Sequence, residues 1–208
     1  MVVTQASLLD SDAEPRPRPL GELVERTHLD GGAWVDLRRD WMGRSDVLFE
    51  RLHRLVPWRA ERRRMYDRMV DVPRLVRFYE PHEELPDAAL VEARQALSDH
   101  YRDALGESLC TAGLCLYRDG RDSVAWHGDT IGRGSREDTL VAILSLGEPR
   151  RFLLRPRGGG VSHHYELGRG DLLVMGGSCQ RTWEHAVPKT RRPAGPRISV
   201  QFRPLGVR

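Results

Sequence analysis

The chain has 208 residues, 39% of them hydrophobic, and a formal net charge of +3. That length suits one domain with a full core, and no apolar run approaches the roughly 20 residues of a membrane helix. The first stretch, Met1 to Pro19, has no basic segment followed by an apolar one, so a secretory signal is not expected and a cytoplasmic location is.

Residues 1–20 are polar and end in Pro-Arg-Pro-Arg-Pro, which predicts a disordered or extended arm before a single domain over 21–208. Ala33 to Leu37 reads as a short strand after the Asp30-Gly31-Gly32 turn. Ser45 is placed to cap a helix running through Val56, with Leu48, Leu52, Leu55 and Val56 near one face and Pro57 ending it. A second helix starts with Pro86 in its first turn. It continues through Leu90, Ala93, Leu97, Tyr101 and Leu105 at helical spacing, and Gly106 terminates it. The stretch 21–110 therefore reads as helical support.

From residue 111 onward the pattern changes to short apolar segments between Gly, Pro and charged turns. They are Leu114–Tyr117, Val124–His127, Leu140–Leu146, Arg151–Arg155, Ser162–Leu167, Asp171–Met175 and Arg197–Phe202. Seven strands without intervening helices predict a β-sandwich or barrel, so the fold class is mainly β with flanking α. Cys110, Cys115 and Cys179 are odd in number and lack CxxC spacing, which fits reduced thiols better than a disulfide framework or a zinc ribbon.

The charge is uneven. Arg59 to Arg77 holds seven arginines against Glu61, Asp67 and Asp71, and the stretch from Glu148 onward holds twelve basic residues against four acids. Such clustering suits a polyanion such as nucleic acid. Lys189 is the only lysine, so a coding bias towards arginine accounts for the same pattern equally well.

Val124 to Asp129 reads as a strand running into a loop. Alternate residues of a strand point to one side, so His127 and Asp129 can address one metal ion. A third ligand must come from another strand, and His185 is the best candidate, 56 residues after Asp129. Two imidazoles and one carboxylate with open positions suit non-haem Fe(II) oxygen chemistry. The same set is also chemically possible for a catalytic zinc.

The last strand alternates, with Arg197, Ser199, Gln201 and Arg203 on one face and Ile198, Val200 and Phe202 on the other. If the apolar face packs on the outer helices, two guanidinium groups point inward and need anionic partners. A dicarboxylate supplies them, because arginine forks a carboxylate. An edge strand with its arginines in water is the alternative.

Several ordered stretches carry a resemblance. They are Leu116-Tyr117-Arg118-Asp119-Gly120, Asp122 through Asp129, Leu144-Ser145-Leu146-Gly147, Gly170 through Met175, Gln180, Trp183, His185, Val187-Pro188-Lys189, Pro196 through Ser199 and Phe202-Arg203. Together this text resembles the AlkB family of Fe(II)/2-oxoglutarate dioxygenases, in the branch acting on alkylated nucleic acid. Upstream, Val56-Pro57-Trp58, Pro73-Arg74-Leu75 and Tyr79 resemble the family's substrate-recognition region more loosely.

The resemblance implies a double-stranded β-helix, a jelly-roll catalytic core over 111–208 behind a substrate-recognition region within 21–110. It implies Fe(II) held by His127, Asp129 and His185, with 2-oxoglutarate and O2 as cosubstrates. Arg197, helped by Tyr117, would pair with the distal carboxylate of 2-oxoglutarate, Arg203 would lie near its chelating end, and Ser199 would keep a polar contact. Two positions depart from the family pattern: Cys115 replaces an Asn that contacts the cosubstrate, and Ile131 replaces an acid that helps read the base.

The implied activity is demethylation of bases such as N1-methyladenine or N3-methylcytosine in DNA or RNA, with release of formaldehyde, succinate and CO2. The base would be single-stranded or flipped. Trp58, Tyr66 and Tyr79 are candidates to stack on it, with ordinary core packing as the alternative for each. Arg74 and Ile131 are further substrate-side candidates, whereas Trp126 and Trp183 read as structural walls. No membrane or obligatory protein partner is implied. The same chemistry on a protein or small molecule, and a nucleic-acid-binding module without catalysis, are the competing expectations.

Overall fold

The computed structural model describes residues 14–65 and 68–207. Strands β1 (Arg16–Pro17), β2 (Glu25–His28), β3 (Ala33–Arg38) and β4 (Met42–Gly43) precede helix α1 (Ser45–Leu55). A long hairpin, β5 (Arg59–Met65) and β6 (Arg68–Tyr79), leads to α2 (Ala88–His100) and the single turn α3 (Arg102–Leu105). Then come β7 (Thr111–Tyr117), β8 (Val124–His127), β9 (Val141–Gly147), β10 (Arg150–Pro156), β11 (His163–Leu167) and β12 (Asp171–Gly177). The short helix α4 (Cys179–Thr182), β13 (Trp183–Val187) and β14 (Arg197–Arg203) complete the order.

These strands form an eight-stranded sheet, ordered β2-β3-β12-β9-β14-β7-β6-β5, and a four-stranded sheet, ordered β11-β10-β13-β8. Their pairings are antiparallel throughout. This is the jelly-roll arrangement expected of the sequence.

One apolar layer fills the space between the sheets. Val141, Ile143, Leu173 and Met175 from the larger sheet meet Phe152, Leu154, Trp183 and Val187 from the smaller. A second layer covers the outer face of the larger sheet. There Ala142, Leu144, Leu146, Ile198, Val200 and Phe202 pack with Leu48 and Leu52 of α1 and with Leu90, Ala93 and Leu97 of α2. Burial on both faces explains why β9 reads as a nearly continuous apolar run.

Several boundaries differ from expectation. The arm does not extend to residue 20: β1 pairs with β4, and Leu20 is buried in the outer core. Residues 1–13 lie outside the described residues. The stretch 21–110 is not purely helical support, since the β5–β6 hairpin joins the large sheet at β7 and β2–β3 join it at β12. Ser45 is the first residue of α1 rather than its cap; Arg44, in the left-handed region, flanks it. Pro86 precedes α2 because Asp87 is the cap, its side chain accepting from the Ala89 N–H at 2.9 Å. The helix also breaks at Tyr101 before its last turn, and Gly106, at φ 72°, ends that turn.

A buried polar knot ties α2 to the sheet. Arg26 donates twice to Asp36 at 2.7 Å, and the Tyr101 hydroxyl donates to the same carboxylate at 2.8 Å. Asp36 is only 2% exposed. Asp36→Ala leaves the buried Tyr101 hydroxyl without its acceptor and takes the carboxylate from the half-exposed Arg26, and is expected to cost about 3 kcal/mol. The melting midpoint should fall by about 6–12 °C. A fall under about 2 °C in a thermal melt would remove the knot from the stabilising features.

Candidate metal centre and cosubstrate pocket

β8 and β13 are neighbours in the small sheet, and their register sets His127 directly opposite His185. The two rings lie 4.2 Å apart between centroids. Asp129 follows β8 by two residues, so its carboxylate returns to the same place, with Oδ1 4.0 Å from His127 Nε2. Ligand atoms of His127, Asp129 and His185 all fall within 4.8 Å of one another. The three expected ligands are thus brought together, in the donor set that suits a non-haem iron.

The surroundings orient each of them. His127 Nδ1 lies 2.9 Å from the Ala125 carbonyl and 3.1 Å from the His185 carbonyl. A carbonyl only accepts, so Nδ1 carries the proton and Nε2 keeps its lone pair for a metal. His185 stacks on Phe152 at 5.3 Å. Burial, reinforced by His127, pushes its imidazole pKa down to about 3, so it is neutral and ready to ligate near pH 7. Burial would raise the Asp129 carboxyl, yet Arg203 and the two imidazoles hold it down to about 2. Arg203 Nε donates to Asp129 Oδ2 at 2.8 Å, and Gln180 Oε1 accepts from the Asp129 N–H at 3.0 Å. Gly128 sits between the ligands where a Cβ would lie 2.8 Å from the Gln180 carbonyl, so the loop closes this tightly only without a side chain.

The inward face of β14 lies beside this triad. Arg197 is 1% exposed, donates through Nη2 to Ser145 Oγ at 2.6 Å, and stands 5.2 Å from the centre of the Tyr117 ring. Its Nε and Nη1 have no partner among the described residues. Burial lowers the Arg197 pKa, and it raises that of the Tyr117 phenol to about 12. A buried guanidinium with two donors unmatched among the described residues fits a carboxylate or another oxyanion ligand. Gly113 of β7 has no Cβ to meet Arg203 Nη1, which would lie 2.9 Å away, so the guanidinium can lie across the strand.

Ser199 faces the same pocket, buried, with Cys115 opposite it on β7. The alternation read from the sequence therefore places Ile198, Val200 and Phe202 outward and the polar set inward. The alternative of an edge strand is excluded, because β14 is flanked by β9 and β7.

The substrate-side candidates are placed less uniformly. Arg74 lies on β6 near Tyr117 and Cys115 and donates to the Ser123 carbonyl at 3.4 Å, which puts it at the pocket wall. Ile131 is 67% exposed, two residues beyond Asp129. Trp58 and Tyr79 pack with the outer core instead. The Trp58 indole donates to the His53 carbonyl at 3.2 Å, and Tyr79 is 5% exposed beneath Arg77. Tyr66 lies outside the described residues. Trp183 is a wall of the inter-sheet core as expected, whereas Trp126 is not: the Arg155 guanidinium covers it at 4.0 Å.

Sequence reasoning assigns no role to three contributors, two of which, Ser145 and Gln180, stand only in the resembling text. Ser145 is the one polar residue inside an apolar strand, a period-two signal that was available. Gln180 is legible only as part of the text that carries the resemblance, with no role attached to it. Arg150, 3% exposed, donates to the carbonyls of Asp119, Asp122 and Pro188 at 2.8–2.9 Å and braces the loops beside Tyr117. In sequence it resembles only another turn arginine.

Comparison with known proteins adds to this geometry. A family model described as the 2OG-Fe(II) oxygenase superfamily matches residues 62–203. The chain is 31% identical over 194 residues to alpha-ketoglutarate-dependent dioxygenase alkB homolog 3 of Bos taurus, covering 82% of this chain and 63% of that protein. The Homo sapiens protein of the same name is 30% identical over 181 residues, covering 76% and 61%. DNA oxidative demethylase ALKBH2 of Arabidopsis thaliana is 29% identical over 135 residues, covering 53% and 42%. The matched stretch thus spans less than two thirds of the length of these relatives.

Proposed function

Because the chain belongs to the 2OG-Fe(II) oxygenase superfamily, within its AlkB family, we propose that it is an Fe(II)- and 2-oxoglutarate-dependent dioxygenase that removes alkyl groups from bases in nucleic acid. The observation that carries this reading is the meeting of the His127–Asp129–His185 cluster with a fully buried Arg197 that keeps two donors unmatched.

His127 through Nε2, His185 and the Asp129 carboxylate would hold the iron. Arg203 keeps Asp129 ionised and occupies its other oxygen, so that one oxygen faces the metal. Arg197 and the Tyr117 hydroxyl would bind the distal carboxylate of 2-oxoglutarate, with Ser199 and Arg203 completing the wall. Bound iron with 2-oxoglutarate and O2 would supply the oxidising power to hydroxylate a C–H bond, with succinate and CO2 as co-products. An N-methyl group so hydroxylated loses formaldehyde as its C–N bond breaks and the ring nitrogen keeps the electron pair. Phe152, Leu154 and Trp183 keep the neighbouring interior dry.

A base within a duplex cannot reach a centre two of whose three ligands are buried, so a single-stranded or flipped nucleotide is the proposed substrate. Arg74 at the pocket wall would meet its phosphates. Ile131 stands exposed beside the metal loop, where an apolar contact with the base is the contribution open to it. No disulfide joins the three cysteines, and no helix among the described residues is long and apolar enough to cross a membrane. A cytoplasmic location is proposed from the free thiols.

The test supplies Fe(II), ascorbate and 2-oxoglutarate with single-stranded oligonucleotides carrying 1-methyladenine or 3-methylcytosine. Mass spectrometry should record loss of the methyl group with the wild type and none with His127→Ala. Succinate formed without any change in either oligonucleotide would move the reading to a protein or small-molecule substrate. Binding of the oligonucleotide without succinate would favour a module that has lost catalysis.

A further inference from the structure

Gln201 stands on the inward face of β14 between Ser199 and Arg203, 9% exposed, and nothing in the mechanism above uses it. Its Nε2 donates to the Ser199 main-chain carbonyl at 3.0 Å and to Ser199 Oγ at 2.5 Å. A carbonyl can only accept, so the amide nitrogen, not its oxygen, belongs on that side. Oε1 then faces β7, where the Cys115 thiol donates to it at 3.8 Å. Room for the amide is left by Gly113, whose Cβ would lie 3.1 Å from Oε1.

These bonds run in one direction, from the Cys115 thiol to the Gln201 amide to the Ser199 hydroxyl oxygen. Ser199 Oγ therefore accepts from within the protein, and its own proton has no acceptor among the described residues. A free serine hydroxyl rotates to suit its neighbours. This one is held as an acceptor on one side, which makes it a donor on the other.

We infer that Gln201 is a positioning residue for cosubstrate binding. It fixes the Ser199 rotor so that the hydroxyl donates to a carboxylate in the pocket shared with Arg197 and Arg203. The inference rests on the reading of that pocket as the 2-oxoglutarate site. It explains why an amide is buried on a strand face otherwise devoted to two cations and a hydroxyl. A carboxylate at the same position would have the opposite effect, accepting the Ser199 proton and repelling the dianion.

The experiment uses the full chain loaded with Mn(II) in place of iron and reads 2-oxoglutarate affinity by calorimetry, with thermal melts as the folding control. Ser199→Ala should weaken binding about tenfold, and Gln201→Ala about three- to tenfold. Since Gln201 acts through Ser199, the double variant should bind no more weakly than Ser199→Ala alone. The near-isosteric Gln201→Glu should fold and should bind more weakly than Gln201→Ala. Additive losses in the double variant, or wild-type affinity in Gln201→Ala, would overturn the inference. Should Ser199→Ala bind like the wild type while Arg197→Met does not, Ser199 is no contact and the inference falls, but the pocket assignment stands. A wild type that binds Mn(II) but no 2-oxoglutarate would overturn both.

Discussion

Asp129→Ala is expected to lower iron affinity by at least about a hundredfold and to destabilise the fold at the same time. The first effect follows from removing one of three ligands. Substitutions that merely support a ligand already cost 10- to 100-fold, roughly, at metal sites. The second follows from Arg203, whose side chain is 11% exposed and whose Nε is spent on Asp129 at 2.8 Å. Stripped of its carboxylate, that guanidinium is a buried charge without compensation, at a cost of about 3 kcal/mol. The two losses separate in the double variant Asp129→Ala with Arg203→Met, which should recover most of the stability and none of the metal binding. Metal titration and urea unfolding on the same preparations decide it. Full metal affinity in Asp129→Ala would sink the ligand assignment, and an unchanged urea midpoint would sink the account of Arg203.

Arg197→Met should act on stability in the other direction. Arg197 is 1% exposed, has one good hydrogen bond to Ser145, and has two donors without a partner among the described residues. Exchanging such a buried cation for an apolar side chain of similar length is commonly neutral or stabilising, by roughly 1–3 kcal/mol. The variant is therefore expected to melt at or above the wild-type temperature, while its 2-oxoglutarate affinity falls by about a hundredfold. Stability gained as binding is lost marks a residue kept for its ligand. A variant that melts well below the wild type and still binds 2-oxoglutarate would identify Arg197 as a structural cation instead.

Much of this site was legible because two periodicities carry it. His127 and Asp129 share one side through alternation, and Arg197, Ser199, Gln201 and Arg203 share one face of a strand that never breaks its pattern. The outer core was legible for the same reason.

What escaped is where pattern and structure part. β13 was expected at His185 only as the strand a third ligand needs, without bounds, because its five residues include Glu184 and His185 on a short run with little alternation to count. The β5–β6 hairpin was taken for a basic segment, since Arg59 to Met65 is dominated by arginine. It is the edge of the large sheet, where charged side chains guard against pairing with another chain. Trp58 and Tyr79 offered aromatic rings in a basic stretch, and the tertiary fold used both for packing. Arg150 left no signature because its partners are main-chain carbonyls, whose positions depend on loops that only the folded chain defines.

The triad and the cationic strand belong to different sheets. His127 and His185 hang from the four-stranded sheet, Arg197 and Arg203 from the eight-stranded one, and the Asp129–Arg203 pair crosses between them. Iron and 2-oxoglutarate would therefore fasten the two halves of the sandwich along one seam, each making the other harder to release. Ligand at a hundred times its dissociation constant adds about 2.7 kcal/mol to the folded state. In a cell short of either one, the chain would spend more time open along that seam and be cleared sooner by proteases, so its abundance would follow the supply of iron and 2-oxoglutarate.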